Sequence, residues 1–138
     1  MKKFILTSFV FLLGTLAIHA QKLVITEVDA AKNSYIDKAA MQTLGKKMDL
    51  TVLGKTMSVK IGNEPEIVLT QLSDQYFETE KKVKNGVERF SIKLSTTNSI
   101  VTTAEFTGTI IPDGDEQNKV WWTVTARSSD VVPVVYNL

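Results

Sequence analysis

The chain contains no cysteine, and its single histidine, His19, lies in an N-terminal stretch that reads as an export signal. Residues 21–138 hold neither residue type. That excludes Ser-His-Asp triads, cysteine nucleophiles, imidazole acid–base relays and the usual zinc sites. It also excludes disulfides, so the fold must rest on packing and hydrogen bonds alone. Beyond the N-terminus the chain has no long apolar run, no block of basic residues, no internal repeat, no low-complexity tract and no linker. With Lys2 and Lys3 set aside, 14 basic and 15 acidic side chains remain, a balance that argues against nucleic acid as a partner. Arginine is reduced to Arg89 and Arg127.

What is present begins with the address. Lys2 and Lys3 precede an apolar stretch from Phe4 to Ile18, and Ile18-His19-Ala20 ends in a small residue suited to cleavage. Residues 1–20 are read as a cleaved signal peptide and 21–138 as one β domain large enough for its own core. The apolar stretch is shorter than the roughly 20 residues that span a bilayer. Without a cysteine to acylate, the mature protein is expected to be soluble, with no membrane span, in a bacterial periplasm or outside the cell.

The rest of the chain alternates apolar and polar residues in short segments separated by turn residues, the pattern of an antiparallel all-β domain. A hairpin around Gly54-Lys55 pairs Val52 with Met57, Leu50 with Val59 and Met48 with Ile61 on one face. Thr51 pairs with Ser58 and Asp49 with Lys60 on the other. A second hairpin, centred on Asn85-Gly86 as a type I′ turn, pairs Phe77 with Leu94, Thr79 with Ile92, Lys81 with Phe90 and Val83 with Glu88. Its opposite face pairs Tyr76 with Ser95, Glu78 with Lys93, Glu80 with Ser91 and Lys82 with Arg89. Further strands are expected at 22–28, 66–72, 99–111 and 119–126, with a ninth at 131–136. In the long strand Ile100, Ala104, Phe106 and Ile110 face one way, and Gly108 marks a bend or bulge. In the next, Val120, Trp122, Val124 and Ala126 face inward and Trp121, Thr123, Thr125 and Arg127 outward. One segment, Asp29 to Gly45, has helical spacing (Ile36, Ala40, Leu44) with Ser34 and Asp37 as a start signal and Gly45 as a stop, predicting a helix of about ten residues.

The expected architecture is mainly β: an antiparallel meander of about eight or nine strands in a closed or partly closed barrel, with one short helix between strands 1 and 2. An open sheet wrapped around the helix is the alternative. The order strand, helix, then hairpins resembles the lipocalin-like, calycin-type small β-barrels, over most of residues 21–138. The chain departs from lipocalins in lacking a Gly-x-Trp near Lys22-Leu23-Val24-Ile25 and in ending on a strand-like segment instead of a helix.

On that layout the expectation is an exported, non-enzymatic binding protein holding a small apolar ligand, with Phe77, Phe90, Phe106 and Trp122 lining the barrel and Lys81 placed for a carboxylate or phosphate headgroup. The alternative is a protein-interaction or envelope-structural module, using an outer face around Trp121 or a C-terminal edge strand. No cofactor is expected. Asp113, Asp115, Glu116 and Asn118 crowd one loop but lack the EF-hand spacing and read as a solvated turn instead of a metal site. Glu64 with Glu66 and Glu78 with Glu80 are carboxylate pairs two apart on strands. The second pair shares its face with Lys82, Arg89 and Lys93, the pattern of a solvated surface.

Overall fold

The computed structural model describes residues 19–31 and 34–128. Of the signal-peptide reading of residues 1–20, only His19 and Ala20 fall inside them, as the first residues of a strand, and the ninth strand at 131–136 lies outside. Eight antiparallel strands close into a barrel in sequence order: β1 (His19–Ala30), β2 (Lys47–Leu53), β3 (Thr56–Ile61), β4 (Ile67–Ser73), β5 (Tyr76–Val83), β6 (Gly86–Thr97), β7 (Ile100–Pro112) and β8 (Val120–Ser128), with β8 hydrogen-bonded back to β1. One helix, α1 (Ser34–Met41), separates β1 from β2. This is the lipocalin-like layout. The described strands leave no free sheet edge, because closure pairs each of them on both sides.

The β2–β3 hairpin has the register that its alternation dictates: Met48 faces Ile61, Leu50 faces Val59 and Val52 faces Met57. Gly54 takes φ 63° while Lys55 keeps a negative φ, as a II′ turn requires.

The β5–β6 hairpin corrects the expected register by two residues. Phe77 faces Ile92, Thr79 faces Phe90, Lys81 faces Glu88 and Val83 faces Gly86. The link is Lys84-Asn85, with Asn85 at φ 67°, and Gly86 is the first residue of β6. Gly86 is needed for a different purpose: a Cβ there would lie 2.5 Å from the Ile111 carbonyl oxygen on β7. The slip also replaces the like-charged Lys82–Arg89 pairing with Glu80 opposite Arg89, bridged at 2.6 Å.

Three register shifts interrupt the ladders; one skips Leu72 between β4 and β5, and the other two reset which residues point inward on β1 and β7. Between Ile25 and Glu27 the pairing of β1 with β8 skips Thr26, so Leu23, Ile25 and then Val28 turn to the core. The strand runs on through Ala30, two residues into the 29–45 segment that broke the strand pattern. On β7 the pairing with β6 skips Thr102, placing Val101 inside and leaving Ile100 48 % exposed, the reverse of the simple alternation. Gly108 marks no bulge. The β7 pairings run unbroken through it, and its missing side chain makes room for the Trp122 indole, whose Cζ2 would lie 2.5 Å from a Cβ.

The helix is shorter than predicted, eight residues, and its apolar stripe stops with it: Ala40 is buried, but Leu44 lies in the following turn and is exposed. Gly45, at φ 85°, turns the chain back so that Gly45 N–H donates to Ile25 O and Ile25 N–H donates to Lys46 O, each at 2.9 Å. The helix therefore rests on the β1–β8 side of one barrel end.

The other end is filled. Leu23, Leu50, Met57, Leu69, Ile92 and Ala126 are buried there or midway along the barrel. Inward-facing Gln21 adds a polar clasp, its amide donating to Val101 O at 2.9 Å and accepting from Val101 N–H at 2.8 Å. Those groups lie past the last pairing of β7 with β8, Thr103 with Arg127, so the side chain continues the ladder. Gln21→Ala is expected to cost about 1–3 kcal/mol, since it leaves a backbone donor and acceptor unmet. Urea unfolding checks this, and a loss within error of zero would show that water replaces the clasp freely.

Candidate functional site

The barrel interior divides across its middle. Below, side chains fill it; above, under α1, lies a cavity of about 730 Å³. Period-two alternation explains the division. On β6 the inward positions run Leu94, Ile92, Phe90, Glu88 toward this end, and on β5 they run Phe77, Thr79, Lys81. On β5 each of these steps is more polar, and on β6 the apolar run ends at Phe90, one step before Glu88, so the apolar core stops at that ring.

The floor is aromatic. Phe90 and Phe106 lie nearly parallel, with ring centroids 5.7 Å apart and planes 9° apart. Trp122 meets Phe106 at 5.6 Å and Phe90 at 6.5 Å, the latter edge-on. Gly108 sits between Phe90 and Trp122 in register, which lets both large side chains occupy one level of the barrel. Val59, Ile61 and Ile67 form the wall on β3 and β4, and Ile36, Ala39 and Ala40 of α1 form the roof. Polar groups surround the rim: Thr79, Lys81 and Glu88 on β5 and β6, Glu64 and Glu66 between β3 and β4, and Gln42, Thr43 and Lys46 after α1.

Four of the five residues expected to contact a ligand, Lys81, Phe90, Phe106 and Trp122, are thus among the residues around one cavity. Phe77 does not; it is 3 % exposed and belongs to the filled half. Reading by sequence missed Ile36, Ala39 and Ala40, because nothing local tells a helix that roofs a cavity from one that covers a core. It also set Glu88 a step nearer the turn than Lys81, a consequence of the two-residue slip.

Trp121 is half-buried on the outer face opposite Thr109, and its carbonyl accepts from Ala31 N–H at 2.9 Å. Nearby, Thr107 and Thr123 share a hydroxyl hydrogen bond of 2.9 Å. Glu78 and Glu80 lie outside with Arg89, at 3.8 and 2.6 Å. The Tyr76 hydroxyl donates to Glu78 at 2.8 Å, and its pKa is raised above the ordinary phenol value, by burial first and then by that hydrogen bond. Arg127 pairs outward with Glu27 at 3.3 Å. Glu64 and Glu66 stand at the cavity rim, where Glu66 accepts from the Ser58 hydroxyl. In the 113–118 loop Asn118 donates to Asp115 at 2.6 Å. Among the described residues no group of three or more Asp, Glu, His or Cys side chains is arranged to hold a metal ion. Among them, too, no helix is long and apolar enough to cross a membrane.

No protein-family model, curated protein or solved structure matches this chain.

Proposed function

We propose that this chain is an exported, non-enzymatic binding protein that holds a small ligand with an apolar body in the upper half of its barrel. The observation that carries this reading is the half-filled interior: a cavity of about 730 Å³ stands on the half-buried Phe90 and Trp122 rings, with Phe106 buried against them, while the core cluster occupies the lower half. A barrel of eight strands is just wide enough for its side chains to fill it or to enclose one small ligand. A space of this size with an apolar floor and polar groups around its rim is what small-molecule sites look like. Lys81 at the rim suits an acidic group on the ligand.

The purified protein is expected to take up the neutral probe N-phenyl-1-naphthylamine at one saturable site with enhanced fluorescence. Ala39→Trp places a large ring in the roof, on an exposed helix position, and is expected to weaken uptake by about tenfold, roughly 1.4 kcal/mol, with the thermal midpoint little changed. Absence of uptake by the parent protein, or uptake untouched by Ala39→Trp, would overturn the reading.

A further inference from the structure

Lys81 and Glu88 are direct cross-strand partners on the inward face of the β5–β6 ladder, and both line the cavity. Residues so paired have Cβ atoms about 5 Å apart, within easy reach of an ion pair. The neighbouring outward pair of the same ladder, Glu80 and Arg89, makes one at 2.6 Å. Among the described residues, the Lys81 and Glu88 side chains make neither an ion pair nor a hydrogen bond. Lys81 is exposed, Glu88 is half-buried, and each stands two residues above a floor-level neighbour, Thr79 and Phe90 respectively.

We propose, building on the ligand-binding reading above, that this uncommitted pair receives a zwitterion: a ligand carrying an ammonium and a carboxylate close together on a flat apolar body, of which an aromatic α-amino acid is the simplest example. Lys81 takes the carboxylate and Glu88 takes the ammonium, each in a charge-assisted hydrogen bond. The flat body reaches down to the Phe90, Phe106 and Trp122 rings, which favour stacked and edge-on aromatic contacts. A ligand with one charge engages only one member of the pair and forgoes the second charge-assisted hydrogen bond, so the pair favours the zwitterion over relatives of either single charge.

Four indoles test this by displacing N-phenyl-1-naphthylamine from the purified protein: L-tryptophan with both charges, tryptamine with the ammonium alone, indole-3-propionate with the carboxylate alone, and 3-methylindole with neither. Tryptophan is expected to compete at least about tenfold more strongly than each of the others, a difference of roughly 1.4 kcal/mol. Lys81→Met is expected to weaken tryptophan and indole-3-propionate while sparing tryptamine. Glu88→Gln is expected to weaken tryptophan and tryptamine while sparing indole-3-propionate. The double variant Lys81→Glu/Glu88→Lys keeps one charge of each sign and is expected to recover most tryptophan binding, which a fold defect at the rim would not allow. Equal competition by all four indoles, or strongest competition by 3-methylindole, overturns the zwitterion and leaves the apolar-cavity reading standing. No probe uptake by the parent protein overturns both.

Discussion

Phe106→Ala is expected to lower the unfolding free energy by about 3–5 kcal/mol, the range for truncating a fully buried phenylalanine. Phe106 is 0 % exposed and stands between the two halves of the barrel, stacked on Phe90 and tilted against Trp122. Its loss removes the transfer free energy of the ring, and the void left behind joins the cavity above. The surroundings have little freedom to collapse into that void, because Ala104 and Gly108, its inward neighbours on β7, are already small. Phe106→Leu keeps most of the volume and is expected to cost under about 2 kcal/mol. Urea unfolding of the two variants beside the parent measures both. A loss below about 1 kcal/mol for the alanine variant would mean that the ring is no part of the packed floor, and the division of the barrel into filled and open halves would fall with it.

Gly86→Ala is the second large effect, expected at about 3 kcal/mol. The added methyl would sit 2.5 Å from the Ile111 carbonyl oxygen and 3.3 Å from the Pro112 Cα. Both are backbone atoms of β7 in a ladder that pairs Gly86 with Pro112, so relief requires the strands to part. Asn85→Gly provides the contrast. Asn85 holds the left-handed conformation at φ 67°, where glycine carries no Cβ penalty, so that variant is expected to be neutral or to stabilise by up to about 1 kcal/mol. Were Asn85-Gly86 the two central residues of a I′ turn, Gly86 would project from the hairpin tip, and alanine would cost only the left-handed penalty of about 1–2 kcal/mol. Chemical denaturation of both variants separates the two registers. A Gly86→Ala cost of about 1 kcal/mol would restore the Asn85-Gly86 turn.

The same hairpin shows why the register was not legible from the chain alone. Side chains on a strand repeat every two residues, so a slip of two keeps every residue on its face. Phe77, Thr79, Lys81 and Phe90 point inward in either register, and alternation cannot choose between them. The choice was made by contacts to a third strand, the close approach of β7 at Gly86, together with the charge partner that Arg89 finds in Glu80. In the β2–β3 hairpin the turn itself needed its glycine, at Gly54, so local turn chemistry already names the register, and sequence and structure coincide there. The bulges at Thr26 and Thr102 were invisible for a related reason. A one-residue insertion is defined against the partner strand: β1 meets β8 only when the barrel closes, and on β7 the skipped Thr102 lies just after the Asn98-Ser99 turn, where simple alternation carries no mark of it.

By itself, the sequence determined the strand-rich class, the meander of hairpins, the single helix after the first strand and the inward placement of Phe90, Phe106 and Trp122. These follow from alternation and turn chemistry, which act over a few residues. It also determined which chemistries are absent from residues 21–138, since a side chain that is not encoded cannot be supplied by folding. Only the tertiary structure decided that the barrel closes, that Gln21 clasps its filled end, that α1 roofs a cavity and that Lys81 stands level with Glu88 over an aromatic floor. Each of these depends on contacts between residues far apart in the chain, and a pattern with a period of two carries no information about such distances.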